Sequence, residues 1–149
     1  MGIIWQYLDK RGATANALRD YGRMEFIISH TDDEVKAVHE KMGGVISPRF
    51  DGMPHTHNPH AAEDRMAEGM DEISVLRERY REAVEFMGWF KPAWEELTED
   101  ERYVLECFYM GADGPAVSAV CERFQIERNS AYRRKNRALS KLSVMLYGK

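Results

Sequence analysis

Seven cations stand in the stretch RNSAYRRKNRALSKLSVMLYGK, from Arg128 to Lys149, and no Asp or Glu stands among them. They are Arg128, Arg133, Arg134, Lys135, Arg137, Lys141 and Lys149. The chain as a whole has a formal charge of −4, so taking out this block of +7 leaves −11 on the residues before it. Guanidinium and ammonium groups gathered at one end of an acidic chain suit a polyanionic partner, because each can neutralise a phosphate and release its counterions. Nor is the block a random basic tail. Ala131, Ala138, Leu139, Leu142, Met145 and Leu146 fall on the spacing of one helical face. The pattern predicts a helix packed on one side and cationic on the other.

Other groups that could do chemistry carry less. His55, His57 and His60 lie close together in a proline-rich stretch, but their spacing matches no closed four-ligand set, so no metal is assigned. Cys107 and Cys121 sit at apolar-periodic positions, where a free thiol acts as a small hydrophobe. No nucleophile stands in a recognisable motif and no Gly-rich loop follows a strand. The chain therefore reads as a non-enzyme without a cofactor.

The elements that would carry the basic helix are all helical. Gly12 interrupts an opening segment and Thr14 offers a fresh N-cap. From there Ala17, Tyr21, Met24, Ile28, Val35, Val38 and Met42 follow a seven-residue repeat. Thr31 to Glu34 also fits a capping box, so one long helix and two successive ones both satisfy this stretch. Pro48, Gly52, Pro54 and Pro59 then predict a loop over residues 43–60. Met66, Gly69, Ile73, Leu76, Tyr80, Ala83, Met87 and Phe90 form a second seam ending before Pro92. Residues 1–92 thus predict helices over about 14–42 and 61–90, as an antiparallel hairpin or as a coiled coil between subunits. The methionines read as hairpin core, and the mixed charges of residues 63–85 as a salt-bridged outer face.

Residues 93–149 predict a second domain of three helices. Thr98-Glu99-Asp100-Glu101 is a capping box, and Val104, Leu105, Phe108 and Tyr109 give its helix an apolar face. Pro115 suits the first turn of the next helix, in which Val117, Val120, Cys121 and Phe124 form one side. Gln125-Ile126-Glu127 then makes a three-residue turn into the basic helix. Helix, short turn and longer basic helix is the helix-turn-helix order, which lays the second helix in the DNA major groove.

At these residues the chain resembles region 4 of bacterial sigma factors. The matching text is Leu97 to Leu105, then Phe124-Gln125-Ile126, then Arg137-Ala138-Leu139-Ser140-Lys141-Leu142. The layout also resembles phage-encoded late-gene transcription regulators of the ArpU and RinA type, through Leu18-Arg19-Asp20-Tyr21 and the Ser47 to Pro54 loop. The resemblance implies an all-α fold, a sigma region 4-like helix-turn-helix, and a sequence-specific regulator of phage or prophage genes with double-stranded DNA as its partner. It places base contacts on Arg128, Asn129, Tyr132 and Arg133, and phosphate contacts on Arg134, Lys135, Arg137 and Lys141. RNA polymerase is implied as a second partner, reached through the helix after Thr98 and the apolar face near Phe108 and Tyr109. Two positions depart from the family pattern: Glu127 replaces a Ser or Thr cap, and Arg134 replaces an apolar residue.

A small DNA-packaging subunit and an adaptor that binds polymerase without reading DNA are the rival readings. The N-terminal helices are the expected place for a homodimer contact. No apolar run approaches the roughly 20 residues needed to span a bilayer, and Met1 to Trp5 lacks a basic leader. The expectation is a cytoplasmic protein of a bacterial host.

Overall fold

The computed structural model describes residues 8–43, 60–111 and 116–148, and among these every regular element is helical. In chain order they are α1 (Lys10–Gly43), α2 (Ala61–Glu95), α3 (Glu99–Leu105) continued by a π-helical turn (Glu106–Met110), α4 (Ala116–Phe124) and α5 (Arg128–Tyr147). The expected loop over residues 43–60, with its prolines and with His55 and His57, lies outside the described residues except at its ends. So does Pro115.

Helix α1 is a single helix and starts earlier than Thr14. Asp9 is the cap: its carboxylate accepts from the Gly12 amide at 3.1 Å, which satisfies one of the amides that a helix start leaves without a partner. Gly12 therefore stands in the first turn. Thr14 is fully buried and its hydroxyl donates back to the Lys10 carbonyl at 2.7 Å, a bond made inside a helix. Thr31 likewise donates to the Ile27 carbonyl and starts no second helix. Pro92 does not end α2, which runs on to Glu95. Proline removes the bond to the carbonyl four residues back, here that of Gly88. Both residues are exposed, so water can take up that carbonyl.

Contacts divide the chain into two compact units that do not part at residue 92. One consists of Met1–Glu25 with Glu85–Lys149, the other of Phe26–Val84. In the first, Ala17 and Leu18 of α1 and Phe90, Ala93 and Trp94 of α2 form one core with Leu97, Leu105, Ala138, Leu139, Leu142 and Leu146. Aromatic rings hold its centre: Phe90 lies 5.3 Å from Tyr21, 5.4 Å from Phe86 and 5.8 Å from Trp94, centroid to centroid. A second cluster in the same unit joins Val104, Val120 and Ala131, with Phe108, Cys107, Cys121 and Phe124 against it. A π turn holds more residues than an α turn, and it carries Phe108 to the second cluster while Tyr109 and Met110 pack on the first. Phe108 and Tyr109 are thus half-buried, each packed on a different cluster.

The second unit packs α1 against α2 in antiparallel order through Val38, Ile73 and Leu76, with Val35 and Met42 beside them. Met42 lies where a side chain at position 69 would stand, which is why Gly69 fits there. Met66 and Tyr80, expected in the seam, are exposed. Of the expected salt-bridged face, Arg81 pairs with Glu78 at 2.6 Å.

The capping box at Thr98 is formed. The Glu101 amide donates to the Thr98 hydroxyl and the Thr98 amide to the Glu101 carboxylate, each at 3.2 Å. Lys141 of α5 donates to the same carboxylate at 2.9 Å. Burial pushes the Glu101 carboxyl up, but the bonds from Lys141 and Thr98 and the ammonium charge outweigh it, so its pKa is lowered. A carboxyl depressed in the folded state stabilises above its unfolded pKa of about 4.3 and loses that contribution as pH falls through the folded value. Glu101→Gln keeps the capping geometry and removes the charge. It should cost about 0.5–1 kcal/mol at neutral pH. In urea unfolding the deficit should shrink as pH falls from about 5 toward 3.

Candidate nucleic-acid interface

Helix α4 is short and one-sided. Val120 is fully buried, and Val117, Cys121 and Phe124 are half-buried against α3 and α5. The chain leaves α4 at Gln125, whose φ of 52° is left-handed. The Ile126 amide then donates to the Cys121 carbonyl at 3.2 Å, the six-to-one bond of a Schellman ending, while the Ile126 side chain packs on the same cluster. A residue with a Cβ pays for this conformation and glycine does not. Gln125→Gly should therefore raise unfolding stability by about 0.5–1 kcal/mol, read from the urea midpoint at unchanged slope.

Helix α5 starts at Arg128, one residue after the expected turn. Its N-cap is Glu127, extended at φ −76° and ψ 161°, and the carboxylate bonds none of the first-turn amides. The first turn of α5 thus opens without a side-chain cap. Behind it, Ala131, Ala138, Leu139, Leu142, Ser143 and Leu146 are buried. The opposite face carries Asn129, Arg133 and Arg137 at four-residue steps, all exposed. Neither Asn129 nor Arg133 has an ion pair or hydrogen bond among the described residues.

The remaining candidates are engaged on the two flanks. On one, the Arg128 guanidinium lies 5.8 Å from the Tyr132 ring, and the Lys135 ammonium lies 5.3 Å from both the Tyr132 and Phe108 rings. Tyr132 is half-buried against Phe108 at 5.7 Å. Such cation–ring contacts orient the charge without neutralising it. On the other flank, the Arg134 guanidinium lies 4.4 Å over the Phe124 ring, which gives its flat face an apolar seat. Arg134 and Arg137 also line a groove of about 370 Å³ shared with Asp100 and Glu101. Lys141 is bound into the Thr98 capping box through Glu101. Its position is structural as well as cationic.

One contributor has no signature in the sequence. Arg11, in the first turn of α1, donates to the Ser140 hydroxyl of α5. Ser140 follows Arg137 by one turn, so Arg11 adds an exposed cation at the far end of the same stripe. The two residues stand 129 apart in the chain. Only the fold brings them together.

The exposed groups of this surface are hydrogen-bond donors and cations suited to anionic or hydrogen-bonding edges. Guanidinium groups grip guanine edges or phosphates, and the Asn129 amide can pair with adenine. Among the described residues no three His, Cys, Asp or Glu side chains converge as ligands for a metal ion, and no helix is long and apolar enough to cross a membrane. No protein-family profile, no curated protein and no solved structure matches the chain.

Proposed function

We propose that α4, the Gln125 turn and α5 form a sigma region 4-like helix-turn-helix that binds double-stranded DNA, with the start of α5 in the major groove. The observation that carries the reading is the stripe of Asn129, Arg133 and Arg137, exposed on a helix whose rear face is buried in the core. A merely solvated helix face commonly interleaves acids with its bases; this one has none from Arg128 to Lys149. Arg128, Asn129, Tyr132 and Arg133 contact bases in this reading. Arg134, Lys135 and Arg137 hold phosphates, and Arg11 reaches a phosphate beyond them.

By its resemblance to phage late-gene regulators, the protein acts as a transcription regulator in the cytoplasm of a bacterial host, with no catalytic step of its own. The test is selection of bound duplexes from a random pool, followed by isotherms at several salt concentrations. One enriched sequence and a steep fall of affinity with salt are expected. Binding that favours no sequence would overturn the base-reading role, and no binding at all would leave the adaptor reading in its place.

A further inference from the structure

The unit from Phe26 to Val84 leaves one face uncovered. Along α2, Met66, Met70, Tyr80 and Val84 are 57%, 62%, 39% and 44% exposed. With Ile73 and Arg77 they follow alternating four- and three-residue steps, a single stripe along the helix. Between this stripe and α1 runs a groove of about 340 Å³ whose walls include His39, Met42, Met66, Met70 and Ile73, and no carboxylate. The groove on the other side of the same helix pair is lined by Lys41, Arg65, Glu68 and Glu72. The first groove also has Ser74 and Arg77 on its wall, so it sets methionines beside a cation where the second sets cations beside carboxylates.

We propose that the apolar face docks on the same face of a second copy of this chain, so that two helix pairs close into a four-helix bundle. A two-helix layer buries only the side its helices turn to each other, and here that core amounts to Val38, Ile73 and Leu76. The stripe reads the same in both directions about Val75: Met66 is as far from it as Val84, Met70 as Tyr80, and Ile73 as Arg77. Laid antiparallel on its copy, α2 pairs Met66 with the partner's Val84 and Met70 with the partner's Tyr80. Ile73, 6% exposed, stays in its own chain's core, and the aliphatic stem of Arg77 fills the middle of the stripe. These are self-complementary contacts of the kind a two-fold interface requires, and methionine packs well on an aromatic ring.

The size also fits a second copy. Met66 to Val84 spans about 27 Å of helix, and two helices present a width of about 20 Å. Each copy then contributes about 540 Å² in outline, and two together pass the roughly 1,000 Å² at which a specific interface becomes stable. DNA binding plays no part in this inference.

Light scattering on the full chain should give twice 17.3 kDa. Met70→Glu and, separately, Val84→Glu should raise the dimer dissociation constant at least about 100-fold while the helical circular dichroism is kept, since both side chains are exposed in the single chain. Val75→Glu is the control: Val75 is 59% exposed on the other side of α2, and the dimer should survive it. A wild-type monomer at every concentration, an assembly larger than two, a dimer indifferent to both stripe variants, or one equally sensitive to Val75→Glu would overturn the proposal.

Discussion

The double variant Arg128→Ala/Arg133→Ala is expected to bind a selected duplex at least about 30-fold more weakly than the wild type, since each bidentate guanidinium–guanine contact discriminates by about 1–3 kcal/mol. The two side chains stand at the start of α5, which a helix-turn-helix directs at base edges. Both are exposed, and neither has a carboxylate partner among the described residues. Their loss should therefore reach DNA binding without unfolding the protein. The design distinguishes reading from mere charge. If the pair reads bases, affinity for the selected sequence falls toward the non-specific level while the dependence on salt changes little. Arg137→Ala should behave in the opposite way. Each lost phosphate contact lowers the slope of log affinity against log salt by about 0.9 and weakens all sequences alike. Arg23→Ala is the charge control, because Arg23 is an exposed cation of α1 already paired with Asp20 at 3.2 Å. Equal losses from Arg23→Ala and the double variant would show a net-charge effect and defeat the assignment.

Lys141 sharpens the comparison. Its ammonium is held 2.9 Å from Glu101, so its removal should cost stability more than DNA affinity, the reverse of Arg133. The expected sorting of the basic helix ran along its axis, with readers first and phosphate holders after them. The fold adds a division by flank: Arg134 and Arg137 share a groove with Asp100 and Glu101, whereas Arg128 and Lys135 lie over aromatic rings. Periodicity could separate the buried side of α5 from the exposed one. It could not reveal that a carboxylate 40 residues away stands beside one cation.

The same division between local and distant information explains the rest of the fold. The capping box at Thr98 and the turn from Gln125 to Glu127 are local devices made by neighbouring residues, and they stand where the residue types place them. Thr14 and Thr31 are residues whose chemistry allows two outcomes, because the same hydroxyl can cap a helix or bond back inside one. Burial decided for the second at both positions. Pro92 looks like a helix end only if the freed carbonyl has no solvent; Gly88 and Pro92 are both exposed. The division into units was not legible at all. It depends on residues 10–25 and 85–95 packing beside α5, through contacts as remote in sequence as Arg11 with Ser140 and Trp89 with the Leu146 carbonyl.

That packing makes Phe90→Ala the substitution with the largest expected effect on stability. The side chain is fully buried and touches the rings of Tyr21, Phe86 and Trp94. Removing a buried phenyl costs the lost transfer energy and leaves a cavity, about 3–5 kcal/mol together. Against a total of about 5–15 kcal/mol for a domain, that is about a fifth or more of the stability. For a chain of this size it should lower Tm by roughly 10 °C. Phe90→Leu keeps most of the volume and should lose less than about half as much, which separates a cavity from a general intolerance of change at this position. Phe90 belongs to the same cluster as Ala138, Leu139, Leu142 and Leu146, the rear face of α5. Phe90→Ala should then loosen the seat of α5 before global unfolding, seen as faster hydrogen exchange in its last two turns. DNA affinity well below Tm should fall with it, although Phe90 is buried and cannot touch DNA. If α5 keeps wild-type protection while Tm drops, the helix is held by the Val104, Val120 and Ala131 cluster alone, and the aromatic core does not position the interface.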